Sequence, residues 1–114
     1  VFLSGADLAG ADLSGAGLIN AVFSGANLKA AKFEGADLRG AVFGPPEMVD
    51  AKIALSPLGR KLMYGAELEG AVFSGAELES ASFRECDLDG VDLRGCDLSQ
   101  VDLRRTSLAN ALVD

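Results

Sequence analysis

"GADLAGADLSGAGL", residues 5–18, places leucine at every fifth position and alanine two places before each one. Five suits neither regular element. On an α-helix five residues advance the chain by about 500°, leaving a net turn of about 140°, so successive leucines scatter around the circumference. In a flat strand an odd spacing sends alternate leucines to opposite faces of the sheet. Fourteen glycines weaken either element further. What remains is a chain that turns through about a right angle at each pentamer, so that four pentamers close a square coil.

The large central residue, position i, is Leu3, Leu8, Leu13, Leu18, Phe23, Leu28, Phe33, Leu38 and Phe43, then Leu68, Phe73, Leu78, Phe83, Leu88, Leu93, Leu98, Leu103, Leu108 and Val113. Position i−2 is small, mostly alanine, and later includes Cys86, Val91, Cys96 and Val101. A larger side chain there would collide inside the coil. Position i+2 is most often glycine, which accepts φ > 0 at a corner with little steric cost. Grouping the central residues by a coil of 20 assigns them to four sides. Side I holds Leu3, Phe23, Phe43, Phe83 and Leu103; side II holds Leu8, Leu28, Leu68, Leu88 and Leu108. Side III holds Leu13, Phe33, Phe73 and Leu93, and side IV holds Leu18, Leu38, Leu78 and Leu98. Phenylalanine thus concentrates on two opposing sides, as stacked rings require. These central residues form the predicted core.

The literal units "ADLAG" (6–10), "ADLSG" (11–15), "ANLKA" (26–30) and "ADLRG" (36–40) resemble the pentapeptide-repeat family, whose motif is A-(D/N)-L-x-x. The resemblance covers residues 1–43 and 65–114. It implies an all-β fold: a right-handed quadrilateral parallel β-helix, a solenoid of about five coils. Some family members resemble DNA in shape and charge and bind DNA gyrase or topoisomerase, giving quinolone resistance, while many others have no assigned role.

Between Phe43 and Gly65 the motif decays into "GPPEMVDAKIALSPLGRKLMY" (44–64). Three prolines withhold ladder donors, and Lys61 would bring a charge to an inward position. The stretch reads as an insertion loop within a single domain spanning 1–114, with a short helical turn around Val49 to Leu55. A degenerate coil competes, because Met48, Ile53, Leu58 and Met63 keep the register of fives.

Outward positions decide function. At i−1, Asp7, Asn27, Glu67 and Asp87 lie on side II, and Asp37, Glu77 and Asp97 on side IV. The net charge is −7 and the insert contributes +1, so the repeats alone carry −8. Nucleic acid is therefore excluded as a direct ligand. Aspartate and asparagine also serve turn hydrogen bonding and solubility, the competing reading of the same residues. Asp37, Glu67, Glu77, Asp87 and Asp97 are the candidate acidic contacts for a protein partner. On side I the i−1 residues Phe2, Val22 and Val42 are apolar, and an exposed apolar row is either covered or used. Met48, Ile53 or Leu62 of the insert is expected to fold back over Val22 and Val42; a partner groove is the alternative.

Catalysis finds no support in these residues. Histidine is missing, the acidic pairs of "GAELEG" and "GAELES" lie on open surface, and Cys86 and Cys96 suit small apolar core slots. No metal, cofactor or catalytic residue is expected. Two cysteines fit a reducing compartment, and the chain lacks an apolar run of membrane-span length, so a cytoplasmic location is the expectation. Val1 and Asp114 lie within repeats with no capping helix beside them, which points to a fragment of a longer protein or to a homodimer through a terminal coil. The gyrase-binding members resemble the second case. The reading is a non-enzymatic structural or protein-interaction module; the alternative is a DNA-mimicking protein that binds gyrase or topoisomerase.

Overall fold

In the computed structural model, residues 1–46, 56–57 and 63–114 are described. Most pentamers contribute one parallel bridge at i−1 to the coil that follows. The rows run Phe2–Val22–Val42–Ser82–Asp102, Asp7–Asn27–Glu67, Asp12–Lys32–Val72–Asp92–Leu112 and Gly17–Asp37–Glu77, with Asp87 paired to Ser107. These rows are the four sides, and the chain is a β-helix-type solenoid. Each straight segment is too short for a named strand, so its hydrogen bonds lead up and down the stack. Val22 donates to Val1 O at 2.9 Å and accepts from Leu3 N at 2.8 Å; Gly10 N reaches Lys29 O at 2.8 Å.

Between segments, the amide of i+3 donates to the carbonyl of i, as in Ala6 N to Leu3 O at 3.0 Å and Ala26 N to Phe23 O at 2.9 Å. The residue before that donor has positive φ, the mark of a type II turn. Glycine occupies the position at Gly5, Gly10 and Gly15, but Asn20, Ala30, Ser80, Glu85 and Arg105 hold φ of 57–62° there. A side chain in this region costs about 1–3 kcal/mol, so stacking overrides local preference at these corners.

The interior is a herringbone of rings. Phe43 stacks between Phe23 and Phe83 at centroid distances of 5.0 and 4.6 Å, and meets Phe33 and Phe73 edge-on at 6.0 and 5.4 Å. Phe33 stacks on Phe73 at 4.9 Å. Phe23, Leu28, Phe33, Leu38, Phe43, Leu68, Phe73, Leu78, Phe83, Leu88 and Leu93 are buried with the alanines at i−2. The expectation of a uniform core needs correction at Leu8, Leu13, Leu18, Leu98 and Leu103, which are only half-buried against that cluster. Leu108 and Val113 are exposed. In the outermost coils a central side chain has a neighbouring coil on one side only, so burial depends on position in the stack as well as on the repeat.

Asn27 pairs with Glu67, Lys32 with Val72 and Asp37 with Glu77, a step of 40 residues where the earlier pairs step by 20. Ala66 N donates to Phe43 O at 2.7 Å, the same turn bond that Ala26 makes to Phe23. The ladders thus join the residues before 44 directly to those after 65. The helical turn expected at Val49 to Leu55, and Met48, Ile53 and Leu62, lie outside the described residues.

Candidate functional site

The outward residues divide into those that build the turns and those that do not. An aspartate or asparagine at i−1 reaches forward two residues and accepts from the backbone N–H at i+1. Asp12 accepts from Ser14 N at 3.1 Å, Asn27 from Lys29 N at 3.2 Å, Asp87 from Asp89 N at 3.0 Å and Asp97 from Ser99 N at 2.9 Å. These are Asx turns, which satisfy the backbone beside each corner. Among the described residues Glu67 and Glu77 make no equivalent bond, because one more methylene carries their carboxylates past the amide; Glu77 instead lies 3.7 Å from Arg39 Nε.

Three aspartates do more. In "DLR" the arginine at i+1 folds back on the aspartate at i−1, and the guanidinium grips both carboxylate oxygens. Asp37 binds Arg39 at 2.8 and 2.6 Å, Asp92 binds Arg94 at 3.0 and 2.8 Å, and Asp102 binds Arg104 at 2.9 and 2.7 Å. This fork was missed in the sequence, although D-x-R is its signal: on a pentamer side, residues two apart point the same way. The Arg94 hydrogen bond holds the nearly buried Asp92 carboxyl down at about 2, against an ordinary 3.8. Asp37 and Asp102 are lowered for the same reason, and Asp12 and Asp97 by hydrogen bonds from Ser14 and Ser99. These carboxylates are settled as anions rather than poised to exchange protons.

Charge is then uneven around the solenoid. Side II carries Asp7, Glu67, Glu69, Asp87 and Asp89 against Lys29, a net −4. Side IV carries Asp37, Glu77, Glu79 and Asp97 against Arg39, a net −3. Side I carries Arg84, Arg104 and Arg105 against Glu85 and Asp102, a net +1. An open groove of about 1040 Å³ runs along side II beside the returning chain, lined by Lys29, Tyr64, Glu67, Glu69, Asp87 and Asp89. A smaller one of about 440 Å³ on side IV is lined by Arg39, Glu77, Glu79 and Asp97. The structure thus groups Glu67 with Asp87 in one groove and Glu77 with Asp97 in the other; Asp37 is tied to Arg39 nearby.

The apolar row on side I is less open than its composition suggests. Val22 and Val42 are half-buried between flanking coils, while Phe2 is 63% exposed. Both cysteines are free thiols, Cys86 buried and Cys96 half-buried. Burial pushes the Cys86 thiol up to about 12, which disfavours its thiolate form. Among the described residues no three His, Cys, Asp or Glu side chains are placed to hold a metal ion. No helix among them is long and apolar enough to cross a membrane.

The family model of pentapeptide repeats, in 8 copies, matches residues 6–43, 63–100 and 86–111. The chain belongs to the pentapeptide-repeat family. Among solved structures, this pentapeptide-repeat chain is similar to HetL, a pentapeptide repeat protein involved in heterocyst differentiation regulation from the cyanobacterium Nostoc sp. Strain PCC 7120, at 28% identity with a TM-score of 0.46. It is similar to Rfr23 from the cyanobacterium Cyanothece 51142 at 22% identity and a TM-score of 0.48, and to QnrB1, a plasmid-mediated fluoroquinolone resistance protein, at 21% and 0.28. The matches cover 96%, 86% and 90% of this chain, which spans 48%, 64% and 60% of those proteins. No curated protein matches it significantly.

Proposed function

We propose that this pentapeptide-repeat protein is a non-enzymatic protein-interaction module. In this reading the solenoid is a right-handed, square-sectioned rod of about five coils. It presents two acidic grooves and the 44–64 insert to a protein partner in a reducing, cytoplasmic compartment. The observation that carries the reading is the division of the carboxylates. Asp12, Asp37, Asp92 and Asp102 are absorbed into turns and arginine forks, whereas Glu67 and Glu77 have no turn bond and line grooves on sides II and IV. Glu67 sits one coil, about 4.8 Å, from Asp87, and Glu77, itself 3.7 Å from Arg39 Nε, one coil from Asp97; each acidic pair favours a basic protein surface as counterpart. A homodimer through a terminal coil is part of the same proposal.

Site-specific photocrosslinking tests this. With the probe at Glu69 or Glu79, adducts with one discrete protein are expected and should fade as salt is raised; at Glu34 on side III they should be absent. Equal labelling from all three positions defeats the proposal. A gyrase supercoiling assay, with and without a quinolone, tests the DNA-mimic alternative: relief of quinolone inhibition replaces the present reading, and no effect leaves it standing. Concentration-dependent light scattering reports self-association, and a strict monomer removes that part.

A further inference from the structure

The point where the chain leaves and rejoins the solenoid rests on three consecutive residues of the next coil. Gly44, Ser24 and Arg84 occupy the same place in successive coils of side I. The buried Ser24 hydroxyl donates to Gly44 O at 2.6 Å from one side. From the other side the Arg84 carbonyl presses so close that a Cβ on Gly44 would overlap it. The Arg84 side chain, only 16% exposed, then reaches past and donates from Nη2 to Pro45 O at 2.5 Å. At the return, a Cβ on Gly65 would come within 3.3 Å of Cys86 Sγ and 3.5 Å of Glu85 O. Arg84, Glu85 and Cys86 therefore support both ends of the insert.

Glu85 is the informative member. It holds φ of 61° at a corner type that ten glycines occupy elsewhere among the described residues. Its carboxylate joins Arg84 Nη1 at 2.9 Å to Arg105 Nη1 at 3.4 Å, from its own coil and the next. A glycine would serve the turn better but would leave Arg84 without its brace.

We propose that Arg84–Glu85–Cys86 is a seat that fixes the direction in which the insert leaves the solenoid, and that Glu85 is a positioning residue acting through Arg84, kept there against the backbone preference of its corner. This goes beyond the interaction reading and does not depend on what the insert binds. A seat differs from ordinary stabilisation in sign. Glu85→Gly is expected to keep the urea midpoint at or above wild type, because the corner relaxes, while loosening the junction. Amide hydrogen exchange read residue by residue by NMR measures that loosening. Ala66, whose N–H closes the junction on Phe43 O, is compared with Ala26, which makes the same bond to Phe23 O with no insert between. Exchange at Ala66 relative to Ala26 should rise by about tenfold or more in Glu85→Gly, the effect of losing one charge-assisted hydrogen bond on a local opening. Arg84→Met, which keeps the packed stem and removes the donors, should reproduce the selective rise. A smaller change in that ratio, or equal acceleration at both amides, in both variants overturns the proposal.

Discussion

Excising residues 46–65 and changing Pro45→Gly leaves Phe43-Gly-Gly-Ala66, the spacing of Phe23-Ser24-Gly25-Ala26, and should yield a solenoid within about 1 kcal/mol of the parent in stability. The turn bond between Ala66 N and Phe43 O already exists at 2.7 Å, and the ladders on either side are in register across the gap. Folding the parent means closing a connection of 22 residues, 44–65, where the ordinary turn closes 2. Loop-closure entropy of (3/2)RT ln n puts that difference at about 2 kcal/mol in favour of the short form. Against it stands the Arg84–Pro45 hydrogen bond, whose loss costs about 1.5–3 kcal/mol with a charged donor. The net expectation is a change between about −1 and +0.5 kcal/mol, which at an m-value of about 1–3 kcal/mol per molar moves the urea midpoint by at most about 1 M. Far-ultraviolet circular dichroism during urea titration measures it. If Met48, Ile53 or Leu62 covers Val22 and Val42, excision also strips about 1.5–3 kcal/mol per buried side chain. A fall of more than about 2 kcal/mol would therefore refute the view that the stack is complete without the insert.

Phe43→Ala should cost about 3–5 kcal/mol in the same titration, since Phe43 touches four rings and leaves a cavity the stack cannot fill; Leu103→Ala, half-buried, should cost distinctly less. Similar losses would mean that the ring ladder is not the centre of the core. Ala30→Gly should stabilise by about 0.5–1 kcal/mol by relieving φ of 58°, and Gly70→Ala, stacked beside it with only ordinary contacts around the new methyl, should destabilise by about 1–2 kcal/mol. Acid should unfold the protein through its aspartates. Asp92 is held at about 2 when folded against 3.8, so its contribution is complete above about pH 4 and drains away as pH falls toward 2; Asp92→Asn should flatten that part of a stability profile taken from pH 7 down to 2.5.

Much of the architecture was written in the period of five. Leucine or phenylalanine at every fifth residue, a small residue two places earlier and glycine two places later are compatible with only one kind of coil, because each addresses a separate steric demand of a tight turn around a narrow core. That logic also sorted the sides, and the stacked rings of Phe23, Phe43 and Phe83 follow from it. The function was far less legible. Aspartate at i−1 reads equally as a solubilising group, a turn cap or a docking contact, and only the hydrogen bonds separate the capped Asp97 from Glu67, or reveal that Arg39 and Arg94 neutralise their own neighbours.

The sequence by itself determined the coil, its corners and the inward residues, since those are local consequences of spacing and residue size repeated down the chain. Only the tertiary structure decided what depends on which coil lies above and below. Leu8 and Leu103 are half-open for lack of a second neighbour, Ala30 and Glu85 take backbone conformations they would avoid alone, and Arg84 finds Pro45, 39 residues away in sequence. A repeat specifies each unit alike, whereas burial, strain and long-range contact are set by the stack, whose levels differ in what lies on either side.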